Sequence, residues 1–152
     1  MTPRQIVVGV DGSREAEGAL RWAIETARRD KARITAVHVF EPPMLPIPGF
    51  AERIGDLFEA EWRKPLFRLL ENDWCAPLRV AGLEYEVLLV DGPVGRTLVR
   101  LAEDREADAI VIGTNRGLLH GLTIRGVAND VLRHATLPVV VVPSVPEPDL
   151  PG

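Results

Sequence analysis

A doubly wound α/β domain, a five-stranded parallel sheet with helices on both faces, is the fold this sequence predicts. Three observations carry that prediction. Five short apolar runs rich in Val and Ile recur along the chain, amphipathic patterns of helical period fill the gaps between them, and 152 residues suffice for one sizeable core but not comfortably for two. Alternation of strand and helix at this spacing argues for right-handed crossovers between parallel strands.

The strands come first in the reasoning because they are rich in Val and Ile and their apolar residues run consecutively rather than at every second position, as expected when both faces are covered. They are Ile6 to Val10, Arg33 to Phe40, Tyr85 to Val90, Ala109 to Ile112 and Pro138 to Val142. The first helix runs from Ser13 to Asp30, with Ala16, Ala19, Leu20, Ala23, Ile24 and Ala27 on one face. Ser13 is a natural N-cap, and Glu15 and Glu17 place negative charge where the helix dipole favours it. A second helical stretch, about 51 to 74, presents Ile54, Leu57, Phe58, Leu66, Leu69 and Leu70, and Pro65 is expected to kink or split it. Asp91-Gly92-Pro93 opens a third helix marked by Val94, Leu98, Leu101 and Ala102; Ile124, Val127, Ala128, Val131, Leu132 and Ala135 mark the last. Prolines 42, 43, 46 and 48 make 41–49 an extended loop, and the Pro-rich segment 144–152 reads as a disordered tail behind a single domain, 1–143.

The totals restrict the function. A net charge of −4 argues against a nucleic-acid binder, which needs a concentrated basic surface. No apolar run approaches the length of a membrane span and the first residues lack a leader pattern, so a cytoplasmic protein is expected. The single cysteine, Cys75, permits no disulfide framework and reads as a small packed hydrophobe rather than a reactive thiol.

In an open parallel sheet, ligands bind outside the carboxyl ends of the strands, where strand order reverses. Those ends carry Asp11-Gly12-Ser13, Phe40-Glu41, Asp91-Gly92 and Gly113-Thr114-Asn115-Arg116-Gly117. Gly113 and Gly117 permit positive φ or a close backbone approach, and Gly121 and Gly126 precede the last helix, whose first amides favour an anion. Two readings of this loop stand side by side: a backbone nest for phosphate, and a plain tight turn. It is neither a P-loop nor G-x-G-x-x-G. Asp11 is either a ligand contact or a turn-and-cap residue, and Asp91 reads as a helix cap rather than an acid or base. His38 reads as a satisfied core histidine, His120 as a solvated loop residue and His134 as a partner of its helix dipole. No triad or metal-ligand spacing occurs, so at most slow nucleotide hydrolysis would be expected of an enzyme here.

Val8-Gly9-Val10-Asp11-Gly12-Ser13, Val37-His38-Val39, Val111-Ile112-Gly113-Thr114, Val131 to Ala135 and Pro138 to Pro143 together resemble the universal stress protein family, in the right order over nearly the whole chain. The resemblance implies a Rossmann-like sheet of the adenine nucleotide alpha hydrolase type, ordered 3-2-1-4-5, with a crevice between strands one and four. It implies a stress-response regulatory role and, in ATP-binding members, a signature of Gly, two residues, Gly, nine residues, Gly, then Ser or Thr. Gly113 and Gly126 hold its outer positions; Arg116 replaces the middle glycine, with Gly117 one place late, and Val127 replaces the hydroxyl residue. By resemblance Asp11 faces the adenine–ribose end, Val39 the adenine through its backbone, and Ile112 the pocket wall.

Arg116 and Arg125 either contact phosphate in place of the missing groups or are solvated loop arginines, and Val127 is a packing residue on its helix's apolar face. Mg-dependent ATP is thus one expectation, and a nucleotide-free interaction module of the same family is the other. The four consecutive valines 139–142 fall on an edge strand, which must be covered or paired, and the resemblance implies antiparallel pairing in a homodimer. The loop 41–49 is a lid, a patch for other protein partners, or a packed surface loop.

Overall fold

The computed structural model describes residues 3–42, 45–114 and 126–143. Its strands are β1 (Gln5–Gly9), β2 (Arg33–Phe40), β3 (Tyr85–Asp91), β4 (Ala109–Thr114) and β5 (Val139–Pro143). They form one all-parallel sheet in the order β3-β2-β1-β4-β5. Central β1 pairs on both sides, Ile6 opposite Ile34 and Ala109, so adjacent Val7 and Val8 are both fully buried, one on each face. That two-sided burial is why the strands read as continuous apolar runs. Asp108 pins the start of β1 beside β4 by accepting the Arg4 and Gln5 amides at 2.7 and 3.0 Å.

One face of the sheet carries α1 (Arg14–Asp30) and a helical arm; the other carries α5 (Val94–Asp104) and α6 (Val127–His134). Ser13 caps α1 as its composition predicts, its Oγ accepting the Ala16 amide at 3.1 Å, and Lys31 closes the helix in the left-handed region at φ 56°. α5 and α6 cross at Gly95, where an added Cβ would lie 2.4 Å from the Cβ of Asp130. The close crossing needs a residue without a side chain.

The arm comprises α2 (Phe50–Leu57), a π-helical turn (Phe58–Trp62), α3 (Arg63–Leu69), a second π turn (Leu70–Trp74) and α4 (Ala76–Ala81). In each π turn an amide donates five residues back: Arg63 to the Phe58 carbonyl, and Cys75 to that of Leu70 at 2.9 Å. The helix therefore opens ahead of Pro65 rather than at it. Pro65, which brings no N–H of its own, is the third residue of α3, just beyond the widened turn. The arm is anchored by Phe58, Leu70, Cys75 and Leu78, all buried, and Arg63 donates to the Leu89 carbonyl of edge strand β3 at 3.1 Å. Among the described residues no helix is long and apolar enough to cross a membrane.

Candidate functional site

The carboxyl ends of β1, β2 and β4 open onto a cavity of about 150 Å³, walled by Gly9, Val39, Leu98, Ile112 and Val127 among others. It sits where the strand order reverses, the chain placing β2 on one side of β1 and β4 on the other. Of the residues the sequence singled out, Asp11, Val39, Ile112, Gly113 and Val127 all line it, with Gly126 directly before Val127. Arg116, Gly117 and Arg125, together with His120, lie outside the described residues.

The positions of these groups follow from local chemistry. Asp11 Oδ1 accepts the Ser13 amide at 2.9 Å and also the Ser13 hydroxyl, so the carboxylate folds the turn that Ser13 then uses to cap α1. Its turn role is thus visible, and the same exposed residue borders the cavity. Gly113 lies within β4, not in a loop. A Cβ there would be 2.3 Å from the Glu15 carbonyl oxygen, so its missing side chain lets the first turn of α1 rest on the strand.

Among the described residues, three helices begin at this cavity: α1 through Ser13 and Ala16, α5 through Val94 and α6 through Val127. α1 has its serine cap, whereas Pro93 and Gly126, the N-caps of α5 and α6, supply no side-chain bond. Helix starts of this kind present amides and positive dipole ends, and so favour a bound anion.

Three sequence expectations need correction. Asp91 is not a cap: it ends β3, and the cap position belongs to Pro93. Val127 is not a buried packing residue: it is 37% exposed and lines the cavity at the start of α6. Leu132, placed on the apolar face by periodicity, is 55% exposed; Val131 is the buried anchor instead. His38 and His134 both have backbone partners. His38 Nδ1 is 2.7 Å from the Val10 carbonyl, and His134 Nδ1 is 2.9 Å from the Asp130 carbonyl one turn back in α6. Cys75 is buried, which pushes its thiol up to about 11, with the Glu71 charge adding to the effect. It packs in the core, as its composition predicts. In the loop 41–49, Leu45 and Ile47 are 52% and 56% exposed; Pro43 and Met44 lie outside the described residues.

A second cavity, about 350 Å³, opens at the opposite ends of the strands among Gln5, Thr35, Glu86 and Arg105. Its charges are spent on one another. Arg105 pairs with Glu86 and holds that carboxyl below its usual range, and Thr35 donates to the same carboxylate at 3.1 Å.

The sequence pattern of the Universal stress protein family matches residues 2–143. A universal stress protein of Methanocaldococcus jannaschii is 29% identical over 145 residues, covering 91% of this chain and 81% of that protein. The chain spans about half the length of the Mycobacterium tuberculosis relatives it matches. A solved structure of a universal stress protein family member from Burkholderia pseudomallei is 33% identical, with a TM-score of 0.66 over 91% of this chain and 95% of that one. Another, the universal stress protein from Archaeoglobus fulgidus in complex with dAMP, is 28% identical with a TM-score of 0.57, over 93% and 99%.

Proposed function

The chain belongs to the universal stress protein family, and from that premise we propose that it is a cytoplasmic stress-response regulator that binds an adenine nucleotide in the crevice between β1 and β4. The observation that carries the reading is the meeting of Asp11, Val39, Ile112, Gly113 and Val127 around one cavity on which α1, α5 and α6 all begin. The relative solved with dAMP supports the ligand class. In this reading the apolar walls hold the base, Asp11 faces the ribose hydroxyls, and the uncapped first turns of α5 and α6 face the phosphates. Arg116 and Arg125 add guanidinium contacts where the signature has a glycine and no hydroxyl remains. Magnesium, where ATP is the ligand, arrives on the phosphates.

Calorimetric titration with Mg-ATP, AMP and adenosine tests this reading. A micromolar Kd is expected, and ligand at about 100 times Kd should add roughly 2.7 kcal/mol of stability. No heat and no thermal shift at millimolar nucleotide would overturn it.

One observation favours the second reading, a nucleotide-free dimeric module. β5 is an edge strand with Val139–Val142 only half-buried. Val142 lies beside Gly18 of α1, and Trp22, one turn further along that helix, is exposed. A row of apolar residues with an unpaired ladder edge suits a second copy of the chain. Sedimentation at micromolar concentration is expected to show a dimer, and replacing Val141 with proline, which cannot donate to a ladder and disrupts pairing, should give a monomer. A wild-type chain that sediments as a monomer would exclude the edge as an interface.

A further inference from the structure

The turn that carries Asp11 is braced from the far side of the sheet. Gly12, at φ 81°, is covered by the indole of Trp74: a Cβ on Gly12 would lie 2.5–2.7 Å from Trp74 Cε2, Cζ2 and Nε1. The Trp74 ring in turn meets His38 edge to face, with centroids 5.2 Å apart and planes at 75°. His38 Nδ1 is bonded to the Val10 carbonyl at 2.7 Å. The residues on both sides of Asp11 are therefore held, Val10 by the histidine and Gly12 by the tryptophan, and the two rings hold each other. Edge-to-face pairs of this kind are favourable beyond the area they bury.

The direction of Trp74 is itself set by the backbone. It is the last residue of the second π turn, in which the Cys75 amide reaches back five residues to Leu70. One residue more or less in that turn would rotate Trp74 about 100° around the helix axis, since 3.6 residues make a turn. π turns recur at functional positions because they re-aim a side chain. Here the side chain is aimed at the turn whose Asp11 and Ser13 border the crevice.

We infer that Trp74 is a positioning residue for the nucleotide crevice, holding the Asp11–Ser13 turn in its binding geometry and coupling that turn to the helical arm. This rests on the proposed reading of the crevice, but its first consequence is independent of any ligand. Two amides report the turn: Ser13, bonded to Asp11 Oδ1, and Ala16, bonded to Ser13 Oγ.

The experiment is hydrogen exchange by NMR on the full chain and on Trp74→Ala and Trp74→Phe, followed by AMP titration of each. In Trp74→Ala the Ser13 and Ala16 amides should exchange about tenfold faster, while those of Val7 and Val8 in β1 stay protected. Trp74→Phe, which keeps an aromatic ring against Gly12 and His38, should remain within about threefold of wild type. Unchanged exchange at Ser13 and Ala16 in Trp74→Ala overturns the proposal. If Trp74→Ala does not fold, Trp74→Leu in its place decides by the same two amides. AMP affinity should fall about tenfold in Trp74→Ala and little in Trp74→Phe; equal affinity in all three chains also overturns it. Should wild type bind no nucleotide, the crevice reading fails alone, and the amide exchange still decides the role of Trp74.

Discussion

Replacing Gly113 with alanine is expected to lower stability by about 3 kcal/mol and to weaken nucleotide binding at least tenfold, two losses with one cause. The new methyl would sit 2.3 Å from the Glu15 carbonyl oxygen, 2.4 Å from its carbon and 2.9 Å from the Ala16 nitrogen. All three are backbone atoms, so no rotamer change relieves the overlap. Either β4 bends or the first turn of α1 lifts, and lifting carries Ser13 and Ala16, both lining the crevice, out of place. For a chain of this size, about 3 kcal/mol corresponds to a fall in Tm of roughly 6–12 °C. Gly9→Ala is the control. Its methyl would approach only the side-chain ends of Leu98 and Ile112, at 3.3 and 3.5 Å, and those can yield. Thermal melts and AMP titrations of both variants check the prediction, and a Gly113→Ala protein as stable as Gly9→Ala would show that α1 does not rest on β4 as described.

The same glycine shows how far the sequence could be read. That Gly113 matters was legible from its place at a strand end; why it matters was not. The reading allowed a positive φ or a close backbone approach, and only the fold reveals that the approaching backbone is that of α1, nearly a hundred residues earlier in the chain. The strands were legible because burial on both faces leaves an uninterrupted apolar run, as Val7 and Val8 show. The helices were legible where one face is buried, as in α1.

Legibility failed where geometry departs from a regular period. A π turn adds one residue, too small a change in apolar spacing to register, so neither π turn was foreseen and the break was assigned to Pro65. Periodicity likewise put Leu132 and Val127 on a buried stripe, because it cannot show that α6 is only eight residues long and starts at a cavity. The brace of Trp74 on Gly12 and His38 left no sequence signal beyond a glycine followed, some sixty residues later, by a tryptophan. Asp91 was misread for a simpler reason. A carboxylate near a helix start resembles a cap, but the turn through Gly92, at φ 140°, hands the cap position to Pro93.

Phe58 is the largest of the buried residues that anchor the arm carrying Trp74, and its removal should have the largest effect on stability. Phe58→Ala is expected to cost about 3–5 kcal/mol, the range for emptying a buried phenyl site. Phe58 is 2% exposed and stacks on Phe40 of β2 with ring centroids 4.0 Å apart and planes at 9°. α2 and α3, the helices on either side of its turn, contain no fully buried residue, so neither can compensate. Because Phe58 opens the first π turn, the backbone around the void is held by the long Arg63-to-Phe58 hydrogen-bond ring and cannot readily collapse into it. At roughly 2–4 °C per kcal/mol, Tm should fall by about 6–20 °C. Phe58→Leu, which keeps most of the volume, should recover much of that loss. The loss should also be uneven along the chain. Hydrogen exchange should accelerate through α2 and α3 before it does in β1 and β4, whose burial comes from α1, α5 and α6 on both sides of the sheet. Uniform acceleration across arm and sheet would mean that the arm is no separate unit and that Phe58 holds the whole domain; a fall below about 1 kcal/mol would mean that the Phe40 stack is not what anchors it.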